Sequence, residues 1–189
     1  MDEYKTIVKR VMPPLPPGVE LGPLDHMLKI REKFQCKPFK WFLQNVYPEM
    51  FIPMDESFVR YQGEVRNPAK KACLDTLGAS GPGAVIGVYP CHGSHGTQEF
   101  VFSRKGELRV ASMDYDTCVD AGGLTDVRIW SCHDQRGNQE WVYDDVTGHI
   151  KVAERCMTLS EEATPRSPFT LKLAPCVVDN KLQEWRFND

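Results

Sequence analysis

Long apolar runs are missing from this sequence. None approaches the roughly 18 residues that a membrane-spanning helix needs, so no helical span is expected. The stretch Met1–Arg10 mixes acids and bases and has no apolar segment, so it is not read as a signal peptide. Excess charge of one sign is missing too. Lys and Arg number 23 against 26 Asp and Glu, a formal net charge of -3. That balance leaves no electrostatic footprint for nucleic acid or an anionic membrane surface. A continuous helical stripe is absent after Tyr61, which argues against an α-helical body for the last two thirds.

Cysteine, by contrast, is plentiful. Seven occur in 189 residues: Cys36, Cys73, Cys91, Cys118, Cys132, Cys156 and Cys176. Such density predicts a disulfide framework and an oxidising compartment. A chain with secretory cysteines and no secretory signal is expected to be a fragment of a longer secretory-pathway protein. The competing reading is a cytosolic chain with reduced thiols.

Six of the cysteines fall into a repeat. Gln183-Glu184-Trp185 matches Gln139-Glu140-Trp141, and both match Gln98-Glu99-Phe100; the glutamines are 41 and 44 residues apart. Each triplet follows a cysteine pair: Cys73 with Cys91, Cys118 with Cys132, Cys156 with Cys176. The first members are 45 and 38 residues apart. Spacing alone leaves the disulfide connectivity open, and Cys36 is left over. Within the units, 83–89, 108–112, 127–130 and 169–173 read as short strands. Gly81-Pro82-Gly83, Arg104-Lys105-Gly106, Gly122-Gly123 and Thr147-Gly148 read as turns. This pattern predicts an all-β barrel or trefoil.

The repeat closely resembles the ricin B-type lectin family, whose units carry a Gln-x-Trp signature. The resemblance runs from about Tyr61 to Asp189. It implies a β-trefoil with pseudo-threefold repeats, with each cysteine pair closed within its own repeat. The first third narrows the likeness. Met1-Asp2-Glu3-Tyr4-Lys5 looks like the end of the catalytic domain of polypeptide N-acetylgalactosaminyltransferases. Residues 36–49, from Cys36-Lys37-Pro38-Phe39 to Tyr47-Pro48-Glu49, look like the segment that joins catalytic and lectin domains there. The expected organisation is therefore a catalytic-domain remnant plus linker over 1–60 and a lectin domain over 61–189. The resemblance implies a Golgi lumen location. It also implies that the parent family's enzyme chemistry lies elsewhere: those enzymes hold manganese and a nucleotide sugar with an Asp-x-His motif, which does not occur in this sequence. No catalytic residue, metal or other cofactor is expected in this chain, and the family's partner for Cys36 would lie in the catalytic domain.

A galactose-type sugar offers adjacent hydroxyls on one edge and an apolar C–H face. A carboxylate accepts from the hydroxyls, an aromatic ring covers the face, and an amide donates and accepts beside them. The second repeat has the full set: Asp120, Trp130 and Asn138, with His133 adding a polar contact. The first repeat has Asp75, Tyr89 and His92, but Thr97 replaces the amide. The third has Thr158, Ala174 and Leu182, and is expected to keep the fold and bind no sugar. The expected ligands are glycopeptides bearing terminal N-acetylgalactosamine or galactose. The alternative is a degenerate trefoil acting only as a protein-contact domain.

Blander roles are expected elsewhere. The signature glutamines and aromatics belong to the core, where the glutamines satisfy backbone groups. Cys91-His92, His95 and Cys132-His133 match no standard zinc spacing. Asp144-Asp145 and Glu161-Glu162 read as solvated charge. In the first third, Leu24, Leu28, Phe34, Phe39, Phe42, Leu43 and Val46 form an apolar stripe within Leu24–Glu49, broken by Pro38 into two short helices and expected to pack on a catalytic domain. Residues 11–23, with Pro13-Pro14 and Pro16-Pro17-Gly18, read as a flexible connector.

Overall fold

The structure, a computed structural model, describes residues 4, 16–19, 22–47, 51–52, 55–79, 81–113, 115–123 and 125–188. Met1–Lys5 apart from Tyr4, Pro13-Pro14 and Pro48-Glu49 lie outside the described residues. The chain forms two compact units, Met1–Ile52 and Pro53–Asp189. Phe58 and Val59, just ahead of residue 61, are tied to the second unit. The reason is local: the Phe58 carbonyl accepts from Arg104 N–H, and the first strand starts at Val59.

In the first unit, helices α1 (Asp25–Lys33) and α2 (Phe39–Asn45) flank Pro38. Pro38 sits just before α2 with φ -65° and ψ 156°, a place where its missing N–H removes no helical bond. Gln35, at φ 48°, reverses the chain between the helices. α1 buries no residue. Of the apolar stripe only Leu43 is buried, 2% exposed, whereas Phe34 is 68% exposed.

Among the described residues the second unit carries twelve short strands: β1 (Val59–Asn67), β2 (Ala72–Asp75), β3 (Gly87–Pro90), β4 (Glu99–Ser103), β5 (Leu108–Val110), β6 (Thr117–Asp120), β7 (Arg128–Ser131), β8 (Val142–Tyr143), β9 (Ile150–Val152), β10 (Arg155–Ser160), β11 (Thr170–Pro175) and β12 (Arg186–Asn188). Each repeat contributes four strands. The middle two form a hairpin: β2–β3, β6–β7 and β10–β11, all antiparallel. The outer strands join neighbouring repeats through β4–β5 and β8–β9, and β1–β12 pairs the first repeat with the last. No ladder joins β8 or β12 to its own repeat's first strand, but the residues just ahead of them are bonded: Trp141 N–H donates to Gly106 O at 2.7 Å, and Trp185 N–H to Gly148 O at 2.8 Å.

The signature aromatics fill the core. Phe100, Trp141 and Trp185 are fully or almost fully buried among Val65, Leu74, Ile86, Leu108, Ile129 and Met157. Each indole N–H is satisfied, Trp141 Nε1 by Val119 O at 2.8 Å and Trp185 Nε1 by Met157 O at 3.0 Å. Cys73–Cys91, Cys118–Cys132 and Cys156–Cys176 are bonded within their repeats, and Cys36 is free and exposed.

Two strand expectations shorten. Residues 83–86 are spent on the neighbouring repeat rather than on β3: Gly83 N–H donates to Ile129 O, and Ile129 N–H donates to Ala84 O. Gly83 has φ +83°, which ends extended geometry there. After Val110 the chain turns into a single 3₁₀ turn, Ala111–Met113.

Candidate sugar-binding site

The second repeat brings its predicted residues to one hairpin. In the β6–β7 register, Cys118 faces Trp130 and Asp120 faces Arg128. Directly opposed and alternate residues share a sheet face, so Asp120, Trp130 and the Cys118–Cys132 bridge lie on the same side. Asp120 is 3% exposed and Trp130 46% exposed. A buried carboxylate requires partners, and Asp120 has three. Oδ1 accepts from Gly122 N–H at 2.8 Å and from Asn138 Nδ2 at 2.7 Å; Oδ2 accepts from Gln139 Nε2 at 3.0 Å. The first of these is an Asx turn, which fixes the chain leaving β6.

The loop after Cys132 supplies the other groups. Its backbone reverses at Arg136, φ 63°, and Gly137, φ 65°, then enters a 3₁₀ turn at Gly137–Gln139. That turn places Asn138 and Gln139 beside Asp120. Gln139 is 2% exposed. Its amide also donates to Ser131 O at 3.2 Å and accepts from His133 N–H at 3.2 Å. His133 Nδ1 accepts from Gln135 N–H at 3.0 Å, which orients the ring and leaves Nε2 to face a ligand.

The first repeat repeats this construction with one part missing. Asp75 is 4% exposed and Tyr89 42% exposed. Asp75 accepts from Leu77 N–H at 2.7 Å and from Gln98 Nε2 at 2.8 Å. Gln98 again holds the backbone on both sides, donating to Pro90 O and accepting from His92 N–H. His92 Nδ1 accepts from Ser94 N–H at 3.1 Å. Thr97 makes no side-chain bond to Asp75 among the described residues, so that carboxylate has two protein donors where Asp120 has three. In the third repeat Gln183 Nε2 donates to Thr158 Oγ1 and Pro175 O, and its oxygen accepts from Val177 N–H. The frame survives there without a carboxylate, and the position across from Cys156 is Ala174.

The glutamines therefore do more than satisfy the backbone. Each one also orients the group at the Asp position, a role that the sequence signals only through the fixed register of Gln to Asp. The acidic doublets also depart from free solvation. Asp145 takes bonds from Arg60 Nη2 and Tyr61 Oη, Glu161 pairs with Lys70, and Glu162 pairs with Lys172 at 2.6 Å. Two groupings have metal-like proximity, His149 with Cys156 and Cys176, and Glu64 with Cys73 and Cys91. Their sulfurs are in disulfides and offer no thiolate to an ion. A cleft of about 870 Å³ lies between loops 77–87 and 164–171, lined by Leu77, Pro82, Ile86, Phe169 and Leu171, and it contains none of the predicted sugar-site residues.

The ricin-type β-trefoil lectin domain model matches residues 61–188. Among known proteins, the chain is 36% identical to polypeptide N-acetylgalactosaminyltransferase 5 of Caenorhabditis elegans over 195 aligned residues, covering 100% of this chain and 29% of that protein. It is 37% identical to putative polypeptide N-acetylgalactosaminyltransferase 9 of Drosophila melanogaster, covering 87% of this chain and 24% of that protein. It thus spans less than a third of the length of these curated relatives. Among solved structures, GalNAc-T7 with UDP, GalNAc and Mn2+ superposes with a TM-score of 0.62 at 24% identity, over 92% of this chain and 31% of that one. That likeness carries the fold. The repeats, the three intra-repeat disulfides and the domain match together make this chain a member of the ricin-type β-trefoil lectin family, related along its length to polypeptide N-acetylgalactosaminyltransferases.

Proposed function

We propose that the chain is a carbohydrate-binding module that holds a terminal N-acetylgalactosamine or galactose of a glycopeptide, chiefly in its second repeat. One observation carries this reading: a buried carboxylate, Asp120, is held by three protein donors on the same sheet face as a half-exposed tryptophan. A carboxylate has about four acceptor positions, so three protein donors leave about one. The sugar's hydroxyls are then shared between Asp120 and the Asn138 amide, while Trp130 takes the apolar face and His133 Nε2–H a further oxygen. A shallow one-site contact of this kind corresponds to a Kd of about 0.1–10 mM, or about 3–5.5 kcal/mol.

In the same reading the chain is the lectin portion of a Golgi transferase for mucin-type O-glycosylation. It performs no catalysis itself and binds without manganese, which belongs to a catalytic domain. The exposed stripe from Leu24 onward is covered by that domain. Weak sugar contacts become useful there because linkage to a second peptide contact raises the effective concentration.

The test is a protein NMR titration of the oxidised chain with N-acetylgalactosamine. Saturable shifts near Trp130 that vanish in Asp120→Ala and persist in Asp75→Ala are expected. A well-dispersed spectrum that ignores the sugar would leave the trefoil as a protein-contact domain only.

A further inference from the structure

The three hairpins differ at the position directly across from the site carboxylate. In the first repeat Asp75 faces Gly87, and the space above that glycine is closed by Leu77, whose Cδ1 lies 2.7 Å from where a Cβ would stand. In the third repeat Lys172 faces Thr158 and pairs with Glu162 at 2.6 Å, and Thr158 and Ala174 stand where the second repeat has Asp120 and Trp130. Only in the second repeat do a carboxylate, an aromatic and a cation share one face: Asp120, Trp130 and Arg128.

Arg128 is built into the site rather than merely near it. Its stem runs under the turn that donates to Asp120, with Cδ 3.3 Å from where a Cβ on Gly122 would stand. Its guanidinium donates to Gly83 O at 2.9 Å and to Asp126 Oδ2 at 3.1 Å. The side chain is 36% exposed and Asp126 is 54% exposed. An ion pair this open is weak and exchangeable, and two bonds leave part of a five-donor fork for another acceptor. Clamping the 81–86 loop explains the bond to Gly83, but a neutral donor would serve that purpose equally well.

We propose that Arg128 makes the second-repeat site selective for a terminal sugar with an anionic group beside it, a carboxylate carried either by the adjoining glycan residue or by the adjoining peptide. The inference rests on the reading of Asp120 as the sugar-binding carboxylate. It also separates the two surviving sites: the first repeat, with Leu77 over Gly87, is indifferent to ligand charge.

The experiment titrates the full oxidised chain by NMR with two pairs of probes. One pair is a peptide with N-acetylgalactosaminyl-threonine between neutral residues and the same peptide with flanking glutamates. The other is a neutral galactosyl disaccharide and its sialylated form. At about 20 mM salt, an acidic probe should bind roughly two- to five-fold more tightly than its neutral partner, the range of an exposed ion pair. The preference, read as the ratio of acidic to neutral affinity within each protein, should vanish at about 0.5 M salt and in Arg128→Gln. The pair that shows it assigns the anion to glycan or peptide. Equal binding of acidic and neutral probes overturns the inference and leaves the sugar site standing. No binding by any probe overturns both. If Arg128→Gln also loses the neutral probes, Arg128→Lys decides: a retained charge preference supports the inference, and a lost one overturns it.

Discussion

At the scale of single residues, the candidate site is a carboxylate held by two side-chain amides and a backbone N–H, and comparing the three repeats tests holding apart from the proposed binding. Gln139 and Gln183 occupy the same place, are both nearly fully buried, and each bonds a backbone carbonyl, a backbone N–H and the side chain at the Asp position, Asp120 in one and Thr158 in the other. Truncating either leaves buried polar groups unpaired, at a cost of about 1–3 kcal/mol. Gln139→Ala and Gln183→Ala should therefore lower the urea midpoint by similar amounts, while only Gln139→Ala weakens N-acetylgalactosamine binding. The first repeat allows the complementary gain. Asn138 supplies Asp120 with a third donor that Thr97 does not give Asp75. Thr97→Asn should strengthen the first site by several-fold, in line with the roughly 1 kcal/mol of one added hydrogen bond, and should raise the NMR shifts around Tyr89 on titration. The residue types and their register were legible in the sequence because a threefold repeat compares each position with two others. The three-way clasp on Asp120 was not, because it depends on backbone reversals at Arg136 and Gly137 that pattern reading does not reach.

At the scale of elements, the strands are short and the joints between them carry the fold. Gly106 and Gly148 sit at φ +88° and +75°, and a Cβ on either would lie 2.8 Å from the carbonyl oxygen of Trp141 or Trp185. Left-handed backbone costs an L-residue about 1–2 kcal/mol, and the backbone clash adds about 1–3 kcal/mol. Gly106→Ala or Gly148→Ala should thus destabilise the trefoil by about 2–5 kcal/mol in denaturant unfolding, well beyond an exposed glycine such as Gly93, which has nothing within 4 Å. The hairpin turn between β8 and β9 adds a pH-dependent element. The N–H groups of Thr147 and Val146 bond the Asp144 carboxylate and hold it below its usual range. A depressed folded pKa contributes stability above the unfolded value, near 3.8, that is lost as pH falls through the folded value. Asp144→Ala should accordingly flatten the acid limb of the stability curve below about pH 4, measured by thermal melts across pH. Strands β7 and β11 were legible from alternation alone, whereas their partners β6 and β10 were not. The shortening of β3 was not, since residues 83–86 take their partners from β7, a choice set by tertiary closure rather than by local pattern.

At the scale of the whole molecule, the two units differ in what holds them. The second has a continuous buried core, three disulfides and satisfied indoles. Among the described residues of the first, which include helices α1 and α2, Leu24, Met27, Leu28, Ile30, Phe34, Phe39, Trp41 and Phe42 are all more than 40% exposed. Helices of nine and seven residues are too short to persist in water without packing, and an apolar surface of that density favours association. The isolated chain should therefore show concentration-dependent self-association in sedimentation velocity. It should remain in reducing agent mild enough to spare the three intra-repeat disulfides, which removes any contribution from the exposed thiol of Cys36. Phe34→Ser with Trp41→Ser should return the chain to a monomer without shifting the urea midpoint of the trefoil, because neither residue belongs to its core. Association that follows Cys36→Ser instead would place the cause in an intermolecular disulfide. A monomer at all concentrations would show that the stripe is covered within the chain itself, and the proposed packing of that stripe on a catalytic domain would lose its support.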